Sequence, residues 1–179
     1  MLAIIGGSGL YALEGLQLEQ EHQMTTPFGE PSAPILQGVF AGQPVLFLAR
    51  HGTQHSYLPS EVNYRANIFA LKKLGARRVV GISAAGSLRM EIKPGELALA
   101  AQYFDHTRGK RAYSFFGKGV VAHVSTANPA CPSLSTDIAR AAGRSGETMH
   151  ESKIYGCVEG PRLGTRAESF FLRDAAQCD

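Results

Sequence analysis

Short β-branched runs alternate with segments of helical period along this chain, and each run ends in glycine or small polar residues. That alternation predicts an α/β fold, a central mixed β-sheet flanked by helices. Residues 2–5 read as a buried strand that stops at Gly6-Gly7-Ser8-Gly9. Val39-Phe40, the turn Ala41-Gly42-Gln43 and residues 45–49 read as a hairpin whose second strand delivers Arg50-His51-Gly52 at its C-terminal end. Pro59-Ser60 opens a predicted helix with Ser60 as N-cap, an apolar stripe of Val62, Ala66, Ile68, Phe69 and Leu71, and Gly75 just past its end. A strand over 78–83 runs into Ala84-Ala85-Gly86-Ser87, and another follows over 97–104. Residues 105–119 read as a polar, glycine-containing loop, 133–146 as a helix and 154–158 as a strand leading into Glu159-Gly160-Pro161-Arg162. Thr165-Arg166-Ala167-Glu168 fits the capping-box pattern and starts a last helix.

Size and composition narrow the class. At 179 residues the expectation is one domain over 1–179, with a core large enough to need neither disulfides nor a metal. Charged residues are 18%, below the usual share of roughly 25%, and there are 20 glycines; this suits an enzyme-like domain rich in tight loops, not a disordered tail or coiled coil. A net charge of +3 without a run of five like charges argues against a nucleic-acid partner. The first 49 residues hold four glutamates and no Lys or Arg, so the apolar start lacks the positive region of a signal peptide. Residues 31–49 carry no charge but include Pro31, Pro34, Pro44, Gly38 and Gly42, which reads as strands and turns, not a membrane span. Cys131, Cys157 and Cys178 are far apart and form no C-x-x-C, so no disulfide framework or metal site is expected and a reducing cytoplasm is favoured.

Candidate chemistry gathers at three strand ends: Gly6-Gly7-Ser8-Gly9, Arg50-His51-Gly52 and Ser83-Ala84-Ala85-Gly86-Ser87. In an open α/β sheet, ligands bind beyond the strand C-termini. Glycines admit backbone N–H groups to an anion, the Ser8 and Ser83 hydroxyls add donors, and Arg50 can grip oxygens with a charged fork. Each piece alone also fits a structural turn or a solvated loop; their joint placement describes an oxyanion cradle. Gly7-x-Gly9-x-x-Ala12 approximates a dinucleotide fingerprint, but the acidic residue such a site wants would fall in a segment, around Met24 to Gly29, that reads as loop. No G-x-S-x-G and no adjacent acid, base and nucleophile occur.

The combination of Ile4-Ile5-Gly6-Gly7-Ser8-Gly9-Leu10, Arg50-His51-Gly52-x-x-His55, Val62-Asn63-Tyr64-Arg65-Ala66-Asn67-Ile68, Gly86-Ser87-Leu88 and Glu159-Gly160-Pro161-Arg162 with Arg166-Ala167-Glu168-Ser169 resembles the trimeric purine nucleoside phosphorylases, most of all their 5′-methylthioadenosine branch. The resemblance implies phosphorolysis of a purine nucleoside to free base and a ribose 1-phosphate, in a homotrimer, with inorganic phosphate as co-substrate and no cofactor. Carried over by motif, Ser8, Arg50, His51, Ser83 and the Ala84 backbone hold phosphate. Ala85, Gly86 and Leu163 lie toward the nucleoside, His55 lines the ribose 5′ side, and His123 reaches into a neighbouring subunit's 5′ pocket. Without the resemblance, His123 reads as an ordinary loop or core histidine.

Two departures from the family pattern bear on function. Leu163 stands where the methylthioadenosine enzymes usually place phenylalanine, and Gly164 replaces the side chain with which either branch addresses the base. Relatives also continue past the Cys178-Asp179 position, into a segment that carries ribose and phosphate contacts and the group that addresses purine N7; the general acid is expected there. Alternatives therefore stand beside the methylthioadenosine reading: a 6-oxopurine nucleoside phosphorylase, and a non-catalytic phosphate-binding remnant.

Overall fold

A computed structural model describes residues 1–109 and 111–179. Its contacts divide the chain into two compact units, Met1–Ala85 with Gly109–Phe115, and Gly86–Arg108 with Phe116–Asp179.

The first unit is built on a five-stranded mixed sheet. Strands β1 (Leu2–Gly6), β2 (Gln17–His22), β3 (Ile35–Phe40), β4 (Gln43–Ala49) and β5 (Arg78–Ile82) lie in the order β2-β3-β4-β1-β5. β4, β1 and β5 run parallel, while β2-β3-β4 is an antiparallel meander. The predicted hairpin is present: Ala41 and Gly42 both take positive φ, 48° and 74°, as a two-residue turn between twisted strands requires. Strand periodicity sorts the apolar residues onto two faces. Ala3, Ile35, Leu46 and Leu48 pack with Ala70, Leu71 and Ala76 on one side; Ile4, Phe47 and Ala49 pack with Leu10, Leu13 and Leu36 on the other. Each fully buried large side chain among them contributes roughly 1.5–3 kcal/mol.

β2 escapes the pattern-based reading because five of its six residues are exposed, so an edge strand of Gln and Glu shows no alternation. It is tied to β3 by backbone pairing and by a 2.9 Å hydrogen bond between His22 and Gln37.

Helix α1 (Tyr64–Lys73) begins later than predicted. Asn63, not Ser60, is its N-cap: the side-chain oxygen accepts from Ala66 N–H at 3.2 Å, while its amide donates to the carbonyls of Phe28 and Glu30. Lys72 and Lys73 complement the dipole of the last turn. Ala76 N–H bonds to Leu71 C=O and Gly75 N–H to Lys72 C=O, with Gly75 at φ 90°, closing the helix in the left-handed manner expected of that glycine. The buried face is Ala66, Asn67, Ala70 and Leu71, and Ile68 is exposed. Asn67 belongs to that face because both ends of its amide are satisfied by Ser32: its oxygen accepts from Ser32 N–H at 2.8 Å and its nitrogen donates to Ser32 Oγ at 3.0 Å. The strand predicted over 97–104 runs two residues further, to His106, so the predicted loop starts at Thr107, and within it Phe115 packs edge-on against Phe28.

The second unit is a β-α-β arrangement. β6 (Leu97–His106) pairs in parallel with β7 (Met149–Val158), and α2 (Pro132–Ser145) connects them. Pro132 at the first helical position and Gly146 at φ 75° delimit α2. β7 starts five residues before the predicted 154–158, because the Met149-His150-Glu151-Ser152-Lys153 stretch is too polar to advertise a strand. α3 (Arg166–Phe170) carries the predicted capping box, with Thr165 and Glu168 bonding reciprocally to each other's backbone N–H. A wider π-helical turn, Phe171–Ala175, follows, and the chain folds back so that Cys178 N–H bonds to Leu172 C=O and Asp179 N–H to Ile154 C=O. The buried Cys178 side chain lies against Gly156, where a Cβ would come within 3.2 Å of its sulfur.

Candidate active site

Register brings the three candidate strand ends of the first unit into one row. Gly6 pairs with Ala49 on one side and with Ile82 on the other, so Gly7, Arg50 and Ser83 leave adjacent parallel strands at the same level. Arg50 N–H bonds to Gly6 C=O at 3.1 Å, which fixes the start of the β4 exit loop. The Arg50 guanidinium then reaches along the row: Nη1 donates to Ile82 C=O at 3.2 Å and Nη2 to Ser83 Oγ at 3.0 Å. It also explains the second glycine of the first loop, because a Cβ on Gly7 would collide with the guanidinium. Gly6 is constrained differently, by the Leu10 carbonyl packed where its Cβ would be. Ser8 sits exposed in the turn closed by Leu10 N–H to Gly7 C=O, and Ser83 and Ala84 are exposed at the end of β5. Backbone, two hydroxyls and a guanidinium thus share one edge of the sheet, a donor set suited to an oxyanion.

The histidines behave differently from one another. His51 is buried, 5% exposed, and its Nδ1 donates to Tyr57 C=O at 3.0 Å, which leaves Nε2 as the ring's free lone pair in the neutral form. Burial, chiefly, holds its pKa below the ordinary value; Arg50, His55 and Arg111 act in the same direction, and the bond to Tyr57 opposes them. His55 lies against it, ring centroids 4.8 Å apart, and shares a 3.1 Å hydrogen bond with the Tyr11 hydroxyl. Tyr11 and Tyr57 meet these histidines without a signal in the sequence, because tyrosines in loops carry no spacing pattern. Ala85 is exposed at the end of this unit's first segment.

Gly86, His123 and Leu163 belong to the second unit. His123 is exposed among Val120, Val121 and Val124, each more than half exposed. Leu163 is 91% exposed, at the tip of the loop that follows β7. That loop is closed by an ion pair absent from the sequence reading: Arg162 Nη1 and Nη2 donate to Glu168 Oε2 and Oε1 at 2.8 and 2.6 Å. The Arg162 fork, and next the Thr165 N–H, hold the Glu168 carboxyl down to about 2. Glu168 was legible as a capping residue; its arginine partner lies six positions back across the Leu163-Gly164 turn, a spacing with no helical or strand signature. At the strand's start of the same loop, Glu159 accepts from Arg108 N–H at 2.7 Å.

A family model described as the phosphorylase superfamily matches residues 1–178. The chain belongs to the phosphorylase superfamily. Within this superfamily it is 49% identical over 173 residues to the S-methyl-5′-thioadenosine phosphorylase of Geobacter sulfurreducens, covering 97% of this chain and 60% of the relative. It is 49% identical over 172 residues to the protein of the same name from Thermofilum pendens, covering 96% and 65%. The fold is shared with a methylthioadenosine phosphorylase from an Antarctic soil metagenomic library, at TM-score 0.91 and 45% identity over 97% of this chain and 61% of that one. It is shared too with the Schistosoma mansoni methylthioadenosine phosphorylase in complex with tubercidin, at TM-score 0.92 and 33% identity over 99% and 70%. The chain therefore spans less than two thirds of the length of these curated relatives. Among the described residues no helix is long and apolar enough to cross a membrane.

Proposed function

We propose that this superfamily member takes part in phosphorolysis of 5′-methylthioadenosine. A phosphate oxygen attacks C1′ as the C1′–N9 bond breaks; the electron pair of that bond leaves with the base, and the proton given up by hydrogen phosphate ends on it, giving adenine and 5-methylthioribose 1-phosphate. The observation that carries the reading is the Arg50 guanidinium held between Ile82 C=O and Ser83 at the shared edge of three parallel strands. A phosphate dianion there gains charge-assisted bonds from Arg50, hydroxyl bonds from Ser8 and Ser83 and a backbone N–H from Ala84, and its negative charge stabilises the cationic sugar as the bond to the base lengthens. His51, neutral and oriented by Tyr57, presents Nε2 as an acceptor for the proton of a hydrogen phosphate. Nearly half of all positions are shared with proteins named for this reaction, which supports the choice of substrate.

The remaining assignments come from family likeness. Ala85, Gly86 and Leu163 face the nucleoside, His55 lines the 5′ side, and His123 completes a neighbouring subunit's site in a homotrimer. Both compact units are parts of one catalytic domain over 1–179, a reading supported by a single family model that runs through them. Phosphate is the co-substrate, and the reaction calls for no metal or organic cofactor and involves no membrane or nucleic acid. Its setting is cytoplasmic purine salvage.

A 6-oxopurine nucleoside stands as the second reading of the substrate, because Gly164 has no side chain with which the loop could select one base over the other at that position. The test measures phosphate-dependent release of base from methylthioadenosine and from inosine side by side. Adenine release confined to phosphate-containing reactions supports the first reading and preference for inosine the second. Release of neither base, with phosphate still bound, leaves a phosphate-binding protein without turnover.

A further inference from the structure

The exit loop of β4 is closed on itself and then tied to the glycine loop of β1. His51 and Tyr57 exchange hydrogen bonds across it: Tyr57 N–H donates to His51 C=O at 3.2 Å, and His51 Nδ1 to Tyr57 C=O at 3.0 Å. Gly52 and His55 both take positive φ, 79° and 52°, and His55 N–H bonds to Gly52 C=O at 3.3 Å. Positive φ is an uncommon conformation for a histidine and persists where the surroundings hold it. Two contacts hold this one. The His55 ring lies 4.8 Å from that of His51, and its Nδ1 is 3.1 Å from the hydroxyl of Tyr11, whose own ring meets it edge-on at 5.6 Å. Tyr11 follows Ser8 in the glycine loop and lies between Leu10 and Leu13, which pack against Ile4, Phe47 and Ala49 of the sheet.

Neither the ring contacts nor the turns of the two loops require that hydroxyl. We infer that Tyr11 is a positioning residue for the anion cradle: its hydroxyl donates to His55 Nδ1, which joins the loop carrying Ser8 to the loop carrying Arg50 and His51 and keeps the His55 proton on Nε2. A neutral imidazole has one donor and one acceptor nitrogen, so this choice is the opposite of the one that Tyr57 imposes on His51. The neighbouring rings then carry a fixed pattern, an Nε2 lone pair on His51 and an Nε2–H on His55. The inference rests on the phosphorylase reading above, which places phosphate at Arg50 and Ser83. A cradle whose two loops are joined before the anion arrives has less to order on binding; cutting the joint weakens phosphate without touching a group that bonds it.

Tyr11→Phe removes the hydroxyl, keeps a ring beside His55 and changes an exposed position. On the purified chain, inorganic phosphate is titrated by calorimetry and the histidine tautomers are read from long-range proton–nitrogen NMR spectra. Phosphate KM and kcat are measured with methylthioadenosine. In the wild type the His55 proton is expected on Nε2 and that of His51 on Nδ1. Tyr11→Phe is expected to lose the first preference and keep the second. It should raise phosphate Kd and KM roughly three- to tenfold, as loss of a neutral hydrogen bond does, with kcat within about twofold and the melting temperature unchanged. His55→Ala weakens phosphate by itself, and Tyr11→Phe added to it should cost nothing more, because the hydroxyl acts only through that ring. A wild-type phosphate Kd in Tyr11→Phe overturns the inference, as do a wild-type His55 proton on Nδ1 and losses that add in the double variant. A lowered melting temperature with kcat falling alongside phosphate affinity overturns it too, as a general loss of structure. Phosphate binding without turnover of nucleoside sinks the phosphorylase reading alone, and the tautomer and Kd readouts still decide the role of Tyr11. A wild-type chain that binds no phosphate removes the anion site and that role together.

Discussion

Arg50 and Ser83 follow two strands, β4 and β5, that are not neighbours in the sheet, yet their side chains meet at 3.0 Å across the end of β1. The contact spans a strand because β1 stops in glycine: Gly7 offers the guanidinium a floor with no Cβ in the way. A β-carbon at position 7 should therefore act on phosphate through Arg50. In Gly7→Ala the guanidinium must leave Ser83 or the loop must shift, and phosphate KM is expected to rise on the order of tenfold with nucleoside KM less affected. Arg50→Ala should cost tenfold to about a hundredfold in phosphate KM, and Arg50→Lys should recover only part, since an ammonium cannot bond Ile82 C=O and Ser83 with a planar fork. Phosphate dependence identical to wild type in Gly7→Ala and Arg50→Ala would remove Arg50 from the anion site.

His51 should make stability depend on pH in a predictable direction. Its folded pKa lies below the unfolded value of about 6.5, mainly through burial. The unfolded chain then binds more protons between the two values, and stability rises with pH across that window. The contribution is fully present above about pH 6.5 and declines as pH falls toward the folded pKa. Thermal melting from pH 5 to 8 should show a loss on the acid side that is smaller in His51→Gln, in which position 51 does not titrate. Parallel melting curves for the two proteins would show that His51 is not buried neutral.

Asn67 and Ser32 predict an asymmetric pair of stability losses. Asn67 is 2% exposed, and its oxygen is the partner of Ser32 N–H. Asn67→Leu removes that acceptor and leaves a buried backbone N–H unmet, a cost of about 1–3 kcal/mol. Ser32→Ala leaves the backbone bond in place and breaks only the bond from the Asn67 amide to the hydroxyl, whereas Asn67→Leu breaks both, so Ser32→Ala should cost less. Chemical denaturation of both single variants checks the order; a larger loss in Ser32→Ala would contradict it.

These residues also show where sequence is legible. The row of Gly7, Arg50 and Ser83 could be read in advance because β1, β4 and β5 are apolar runs that each stop at small or basic residues, and a parallel sheet places such ends together. The capping box at Thr165 was equally plain, since its three-residue spacing follows from helix geometry. Other features depend on partners remote in sequence. Asn67 on the buried face of α1 makes sense only once Ser32 is beside it, and the exposed strand β2 only once β3 supplies a neighbour. α1 starts later than local rules place it, although Pro59-Ser60 is a competent helix opening. Asn63 prevails through its bonds to Phe28 and Glu30, which no window around the helix contains.

Asp179 offers a last test, of how the second unit is held together. Its carboxylate accepts from Ile154 N–H at 2.8 Å on β7 and lies 3.3 Å from Arg89 and 3.6 Å from Lys153, while its carbonyl accepts from Leu88 N–H at 2.7 Å. One residue thus joins β7 to the segment that follows Gly86. Burial pushes the Asp179 carboxyl up, but the Ile154 N–H, Lys153 and Arg89 together outweigh it and hold the group below its usual range. A lowered folded pKa makes the contribution present above the unfolded carboxylate value of about 3.9 and lost as pH falls through the folded one. Asp179→Asn can still accept from Ile154 N–H but leaves Arg89 and Lys153 facing each other without an anion. It should therefore lower the melting temperature at pH 7, and the gap from wild type should close as pH drops below about 4, where the wild-type carboxylate is itself being neutralised. A gap that is constant down to pH 3 would mean that the charge of Asp179 contributes nothing and that its hydrogen bonds alone hold the segment.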